Sequence, residues 1–247
     1  MALTHEQIQF YQENGYLAVE NVLSAQEIQR LVRRCEELCA NWQSEEARRV
    51  GLSQEADVAN GKVGATSDNQ TIRKMANLVA HEPVYREHAL NANIVDMVAD
   101  LIGQPLNLYA DQMLLKPPRY GSEKPPHQDN AYFRVEPADA VITCWTALDD
   151  ATVENGCMRY IPGSHRLGLV DHTAIQDTPH LVPNNVDLTK SVAVPIKAGG
   201  CIFHHALSLH HSHANHSNTW RRAYICHYVR SDAASPRRSP ESLLPIR

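Results

Sequence analysis

Apolar residues in the first hundred positions recur at the spacing of amphipathic helices. Thr4 with Gln7, and Ser24 with Glu27, have the three-residue spacing of a capping box, in which a hydroxyl residue and a longer polar residue close a helix start. The pattern predicts three helices and one short strand, over residues 5–14, 25–42 and 91–102 and over residues 16–19.

The chain becomes rich in strand signals after Gly103, with short alternating segments separated by proline, glycine and asparagine. A tight turn at residues 154–156 predicts a hairpin, with residues 158–161 as its return strand. The predicted strands are residues 106–115, 141–148, 158–161, 192–196, 201–203 and 222–229. Helices followed by many short strands favour helices packed on an antiparallel β-sandwich or barrel.

We predict a single domain over residues 1–247, because nothing before residue 103 has enough apolar sequence to fold alone. Its parts are a helix-rich segment (1–103), a β core (104–230) and a tail (231–247) that contains three prolines and a basic pair and is expected to be loose. Residues 44–70 are polar and weakly periodic, which predicts a long loop that could act as a lid.

The charge balance excludes several classes of partner. The chain has 23 Lys and Arg against 28 Asp and Glu, a net charge of −5, so that neither nucleic acid nor an anionic membrane is an expected partner. No apolar run approaches the roughly 18 residues of a spanning helix, and the start of the chain lacks the pattern of a secretory signal. The six cysteines lack paired C-x-x-C spacing and indicate reduced thiols of a cytoplasmic protein.

Fourteen histidines make metal binding worth considering. In His127-Gln128-Asp129, positions i and i+2 of a strand would direct an imidazole and a carboxylate to one point, while Gln128 faces away. Prolines on either side of the approach would hold the pair rigidly. By itself the motif is weak, because histidine and aspartate are also common on protein surfaces.

A second histidine-rich stretch, residues 204–216, could supply another ligand. Two histidines and one carboxylate on one face of a metal leave three open positions, the ligand set of non-haem Fe(II) oxygenases. The same stretch could instead be a polar surface loop, and the residues alone leave both interpretations open.

Three ordered segments resemble the phytanoyl-CoA dioxygenase family of Fe(II)- and 2-oxoglutarate-dependent oxygenases. They are HQDNAYF (127–133), WTALDDATVENGCMRYIPGSH (145–165) and FHHALSLHHSHANHSNTWRRA (203–223), and residues 10–24 resemble the family's opening. The resemblance implies an α+β, mainly β fold. Its core would be a double-stranded β-helix of the jelly-roll, cupin-like kind, with N-terminal helices packed on one sheet. It also implies Fe(II), 2-oxoglutarate as cosubstrate and O2.

The family's distal histidine lies in an H-x-S-x-x-N pattern, which only His210 matches, with Ser212 and Asn215. The resemblance therefore implies that His127, Asp129 and His210 bind the metal. Related halogenases have a small residue at the acid position, so that the carboxylate of Asp129 favours hydroxylation or a related oxidation.

Arg221 lies eleven residues after His210, at the position from which the family's arginine binds the cosubstrate. 2-Oxoglutarate is a dianion, and its far carboxylate, once buried, requires a hydrogen-bonded partner. The planar guanidinium fits a carboxylate with two parallel bonds. Arg222 should alternate to the opposite face of its strand.

We predict four further residues at the cosubstrate, three from the resemblance and Ser212 because it shares a strand face with His210. Trp145, eighteen residues after His127, matches the family's pocket tryptophan, and Ser212 could hydrogen-bond a cosubstrate carboxylate. Met113 and Lys74 match further pocket positions, with a core methionine and a solvated lysine as the alternatives.

These features predict a dioxygenase that hydroxylates a C–H bond of a small-molecule metabolite, with succinate and CO2 as coproducts. A catalytically silent ligand-binding member of the fold and an acyl-CoA hydroxylase are alternatives. A zinc hydrolase on the same triad is a further one, in which Arg221 would have no evident role. The oligomeric state stays open.

Overall fold

The computed structural model describes residues 2–55, 71–176, 178 and 180–247. Its helices are α1 (His5–Asn14), α2 (Ala25–Ala40), α3 (Glu45–Arg49), α4 (Leu78–His81), α5 (Pro83–Ala89), α6 (Ala92–Ile102) and α7 (Asn130–Phe133). Its strands are β1 (Tyr16–Val19), β2 (Ser53–Gln54), β3 (Ile72–Ala76), β4 (Leu106–Lys116), β5 (Lys124–His127), β6 (Val141–Ala147), β7 (Met158–Tyr160), β8 (His172–Ala174), β9 (Leu181–Pro183), β10 (Val192–Val194), β11 (Cys201–His205), β12 (His210–Ser212), β13 (Arg221–Arg230) and β14 (Leu244–Pro245).

Most of these strands form two antiparallel sheets. The large sheet has the order β1-β11-β6-β13-β4-β3-β2, with β14 beside β4, and the small sheet has the order β10-β7-β12-β5. From β5 to β7, and again from β10 to β13, the chain alternates between the small and the large sheet. This winding is that of a double-stranded β-helix, so the predicted fold is confirmed.

The first two helices begin where the sequence predicts, because both capping boxes form. The Thr4 hydroxyl accepts a hydrogen bond from the Gln7 amide at 3.3 Å, and the Gln7 side chain accepts one from the Thr4 amide at 2.9 Å. Ser24 and Glu27 repeat the arrangement at the start of α2. Within the described residues, none of the helices combines the length and the apolar character needed to cross a bilayer.

One face of the large sheet packs against the helices. Tyr85 of α5, Met97 of α6, Phe203 of β11 and Tyr224 of β13 are fully buried in this layer. Burying an apolar side chain of this size contributes about 1.5–3 kcal/mol, so the layer determines which face of the sheet meets the helices. The opposite face is thereby directed towards the small sheet.

The interior between the two sheets is a smaller apolar cluster that ends at a set of polar groups. Trp145 and Ile225 from the large sheet meet Met158 and Tyr160 from the small sheet. Because side chains alternate along a strand, Cys144 next to Trp145 lies in the helix-facing core instead. The polar groups at the end of this interior form the candidate site.

The hairpin predicted at residues 154–156 is wrong. Strand β7 pairs with β10 and β12 of the small sheet, whereas β6 belongs to the large sheet. The Asn155 side chain accepts from the Thr152 amide at 2.7 Å and donates to the Asp150 carbonyl at 2.8 Å, which closes a loop that carries the chain between sheets. A local turn signal does not report which strands will pair.

The prediction of a loose C-terminal tail is also wrong. Leu244 of β14 pairs with Leu108 of β4, and Leu244 and Ile246 pack against the helix-facing core. Arg247 forms an ion pair with Asp96 of α6. Apolar residues at the end of the segment hold it against the sheet despite its prolines.

The helices α4 and α5 were not predicted, and part of the predicted 44–70 loop is helical. Pro83 occupies the first turn of α5, where its missing N–H leaves no hydrogen bond unmade. Glu45–Arg49 forms α3, whose first turn is capped by the Ser44 side chain. Residues 56–70 of the candidate lid lie outside the described residues.

Candidate active site

Three buried side chains meet at one end of the interior between the sheets. His127 ends β5, His210 begins β12, and the two residues are cross-strand partners. Asp129 lies beside them, and one donor atom from each of the three residues lies within 4.8 Å of the other two. The predicted set of metal ligands is therefore brought together.

The local geometry of the H-x-D motif differs from the prediction. Strand β5 ends at His127, and Asp129 has helical backbone angles (φ −59°, ψ −38°) immediately before α7. The carboxylate therefore reaches the imidazole through a turn and not through alternation along a strand. Gln128 does face away, and its amide group donates to the carbonyls of Gly168 and Leu207 at 2.8 and 2.6 Å.

Both histidines have a fixed tautomer. The Nδ1 atom of His127 donates to the Pro125 carbonyl at 2.8 Å, and that of His210 donates to the Ser208 carbonyl at 2.9 Å. Burial lowers the pKa of both imidazoles, which favours the neutral form. The two Nε2 atoms therefore present free lone pairs at 3.5 and 3.6 Å from Asp129 Oδ1.

A second polar layer, which the sequence did not predict, holds the other oxygen of Asp129. Thr143 donates to Oδ2 at 2.7 Å, and His204 Nε2 donates to it at 3.0 Å. The Tyr160 hydroxyl donates to His204 Nδ1 at 2.9 Å, which fixes that imidazole in turn. Hydrogen-bonded partners of this kind orient a ligating carboxylate so that one oxygen faces the metal.

His227 extends this layer. Its Nδ1 donates to Thr143 Oγ1 at 2.9 Å, and its Nε2 accepts from Gln112 at 3.2 Å. Alternation from Trp145 could have indicated Thr143, two residues earlier on the same strand face. The sequence analysis did not predict a role for His204, because the predicted strand stopped at Phe203, whereas β11 continues to His205.

Replacing His204 with Phe is expected to weaken Fe(II) affinity by about ten- to a hundredfold, because Asp129 Oδ2 then loses one of its two donors. Anaerobic metal titration measures the change, and Tyr160→Phe should give a smaller effect in the same direction. His216→Phe, at an exposed histidine, is the control. Equal affinities of His204→Phe and the parent would contradict the assigned role.

Arg221 lies deeper in the same interior and lacks a carboxylate partner among the described residues. Its side chain is buried, and its Nε and Nη1 atoms have no hydrogen-bond acceptor. The guanidinium carbon lies 5.5 Å from the centre of the Trp145 ring, whose Nε1 also lacks an acceptor. Burial lowers the pKa of Arg221 to about 9, which still leaves it cationic at neutral pH.

Lys116, the cross-strand partner of Arg221, does not compete for the same role. Its ammonium group donates to the Ser212 carbonyl at 3.3 Å and to the His213 carbonyl. Burial lowers its pKa to about 6, with the charge of Arg221 as a further cause. Arg221 and Trp145 are thus buried donors without an acceptor, an arrangement that fits the carboxylate of a bound anion.

The remaining predicted residues lie on both sheets, and one of them faces away from the interior. Ser212 is buried two residues after His210 on the same strand. Lys74 is half-buried and pairs with Leu114, which packs in the interior cluster. Met113 is the exception: it alternates to the opposite face of β4 and is fully buried in the helix-facing core. Its predicted contact with the cosubstrate is therefore wrong.

The donor set fits a ferrous ion and a chelating dianion. Two neutral imidazoles and one carboxylate form the facial set that non-haem Fe(II) requires, and the unpaired guanidinium fits the far carboxylate of 2-oxoglutarate. A hydrolytic zinc site would use the same three ligands but would leave the buried charge of Arg221 without a partner.

Comparison with known proteins agrees with this geometry. The family model described as phytanoyl-CoA dioxygenase matches residues 11–223. A Caenorhabditis elegans protein described as "Probable phytanoyl-CoA dioxygenase" is 31% identical over 242 residues, which cover 93% of this chain and 76% of the worm protein.

Two solved structures of similar fold are enzymes of nogalamycin biosynthesis. The non-haem α-ketoglutarate-dependent carbocyclase SnoK is 29% identical, with a TM-score of 0.70 over 94% of this chain and 86% of its own. The epimerase SnoN, in complex with Fe3+, α-ketoglutarate and nogalamycin RO, is 26% identical, with a TM-score of 0.73 over 95% of this chain and 86% of its own. The chain thus belongs to the phytanoyl-CoA dioxygenase family of 2-oxoglutarate-dependent non-haem iron oxygenases.

Proposed function

We propose that this enzyme hydroxylates a C–H bond of a small-molecule metabolite and releases succinate and CO2 as coproducts. The observation that carries the proposal is the complete two-histidine, one-carboxylate set together with the buried, unpaired guanidinium of Arg221.

When bound, iron and 2-oxoglutarate supply the oxidising chemistry, in which O2 is consumed and one oxygen atom passes to the substrate. His127, Asp129 and His210 would hold the iron. Arg221 would bind the far carboxylate of 2-oxoglutarate through two parallel hydrogen bonds, with the Trp145 ring against its guanidinium.

Two further residues are proposed for the cosubstrate. Ser212, on the face of β12 that His210 occupies, would donate its hydroxyl to a carboxylate oxygen. Lys74 reaches the same interior from β3 and would add a positive charge. The near end of the cosubstrate would then face the iron while its far end is buried at Arg221.

Gln128 helps to exclude water, because it ties the loop after β7 to the metal site. Its side-chain oxygen accepts from the Val170 amide at 2.9 Å, and its backbone amide donates to His172 Nε2 at 3.3 Å. This loop continues into the β8–β9 hairpin, whose Leu181 amide donates to the Tyr132 hydroxyl at 2.8 Å. A covered site strengthens electrostatic contacts and protects reactive species.

A small metabolite fits the surface charges better than an acyl-CoA thioester, whose phosphates require free basic groups. Arg34 is bonded to three carboxylates, with Glu82 at 2.6 Å, Glu37 at 3.0 Å and Glu46 as partners. Arg49 pairs with one carboxylate, that of Glu45, one turn earlier on α3. The cytoplasmic location inferred from the sequence stays a prediction.

The test is a screen of small metabolites read out as succinate formed from 2-oxoglutarate with Fe(II) under air. We expect succinate in proportion to a product that has gained one oxygen atom, and none when Fe(II) is omitted. A product that has lost two hydrogens would contradict hydroxylation. Absence of succinate with every compound, although Fe(II) and 2-oxoglutarate bind, would favour the silent binding protein.

A further inference from the structure

Lys124 is a cation of the site that the proposed chemistry does not use. It pairs across the small sheet with Ser212, and Ser212 shares its strand face with His210. A β-bulge separates this pair from the His210–His127 pair, so the position of Lys124 is given by its contacts: the Tyr132 ring lies near both the Lys124 ammonium group and the His127 imidazole. Strand β5 is at the edge of that sheet.

The groups in direct contact with the Lys124 ammonium group are neutral, and the charges of Asp129, Arg73 and Lys74 act on it from a longer distance. It donates to Nδ1 of His180 at 3.0 Å and lies 5.3 Å from the centre of the Tyr132 ring. That ring meets the His127 imidazole edge-on at 5.9 Å between centroids. Lys124 is therefore placed between a metal ligand and the loop segment that covers the site.

The pKa values agree with an ammonium group that has no carboxylate in direct contact, although the charge of Asp129 acts on it. Burial lowers the pKa of Lys124 to about 8, and it lowers the pKa of His180 to about 4, so the imidazole is the acceptor. Burial and the charge of Arg73 likewise lower the pKa of Lys74. Among the described residues, neither Lys74 nor Lys124 has a carboxylate within ion-pair distance. Glu55 forms its ion pair with Arg73.

The charges of the site with iron and 2-oxoglutarate bound leave a positive charge without a partner. Iron and Asp129 together carry one positive charge, and the 2-oxoglutarate dianion exceeds it by one negative charge. Arg221 offsets that remainder. Lys74 is already assigned to the cosubstrate, so Lys124 is left as a positive charge in a partly buried space, and such a charge requires a partner.

We propose that Lys124 binds an anionic group of the substrate, a carboxylate or a phosphate, beside the iron. The inference rests on the proposed function and narrows it: the substrate is a small acid that is oxidised close to its anionic group. A CoA thioester does not meet this requirement, because the whole pantetheine arm separates its phosphates from the acyl carbons.

The test measures anion binding next to the metal without requiring the true substrate. The protein is loaded with Mn(II) and 2-oxoglutarate, and relaxation of the methyl protons of acetate, methyl phosphate and neutral acetamide is measured by NMR. We expect strong relaxation for at least one anion and not for acetamide. Acetate alone indicates a carboxylate substrate, methyl phosphate alone indicates a phosphate, and both together indicate a general anion site.

Lys124→Met should weaken anion binding by about ten- to a hundredfold, whereas Lys124→Arg should retain it. Lys190→Met is the control, because Lys190 is a loop lysine whose side chain is 73% exposed. Equal relaxation of acetamide, no relaxation by either anion, or anion binding that persists in Lys124→Met would overturn the proposal. So would a loss of 2-oxoglutarate affinity in Lys124→Met, which would place the lysine in the cosubstrate pocket.

The two proposals fail separately. The Fe(II)–2-oxoglutarate charge-transfer band, recorded without oxygen, reports the loaded site and does not depend on Lys124. A normal band without anion binding would remove only the inference about the substrate. A missing band in the parent protein would remove the proposed function itself.

Discussion

Arg221→Met is expected to weaken 2-oxoglutarate binding strongly and, at the same time, to raise the melting temperature of the free protein. The guanidinium is buried, and its Nε and Nη1 atoms lack acceptors, so an apolar side chain of similar length removes an unpaired charge. We expect a gain of roughly 5 °C and a loss of cosubstrate affinity of about a hundredfold or more. Thermal unfolding and anaerobic titration measure the two effects.

The matched control is the neighbouring Arg222→Met, which should lower the stability of the protein and leave 2-oxoglutarate binding intact. Arg222 alternates to the other face of β13, where it bonds Asp149 at 2.7 Å and Glu36 at 2.7 Å. Breaking this pair should destabilise the protein by about 2–3 kcal/mol and leave 2-oxoglutarate affinity unchanged. If Arg221→Met instead bound 2-oxoglutarate as well as the parent does, the guanidinium would not be the cosubstrate's partner.

Asp129→Ala is expected to lower succinate formation by on the order of a thousandfold or more, because the variant leaves two neutral imidazoles and no anionic ligand for the iron. It also leaves the donors of Thr143 and His204 without their acceptor, so a lower melting temperature should accompany the loss. Succinate release, Fe(II) titration and thermal unfolding are measured together.

The control for that variant is Asp187→Ala. The Asp187 carboxylate is exposed and caps a one-turn helix, Leu188–Lys190. It should keep the parent rate and the parent metal affinity. Asp129→Asn adds a variant of nearly the same shape that lacks the charge. Parent-like succinate formation by Asp129→Asn and Asp129→Ala would show that the carboxylate is not a metal ligand.

The helices and the long strands could be predicted because their signals are local. The Thr4 and Ser24 capping boxes form, and the alternating pattern of residues 106–115 becomes β4, Leu106–Lys116. The bounds of strand β5, with the sequence KPPH, could not be predicted, because its two prolines leave no alternation of apolar and polar residues. It forms because His127 and Lys124 pair with a strand more than eighty residues away in the sequence.

The sequence by itself determined the family resemblance, which implied the candidate ligands. It also determined the opposite directions of Arg221 and Arg222, since alternation is a property of a strand. Only the tertiary structure decided which face of β4 meets the helices, and so placed Met113 in their core. It also decided that His204 and Thr143 meet behind Asp129. These contacts join strands that are distant in sequence, and their pairing depends on how the two sheets close around a common interior.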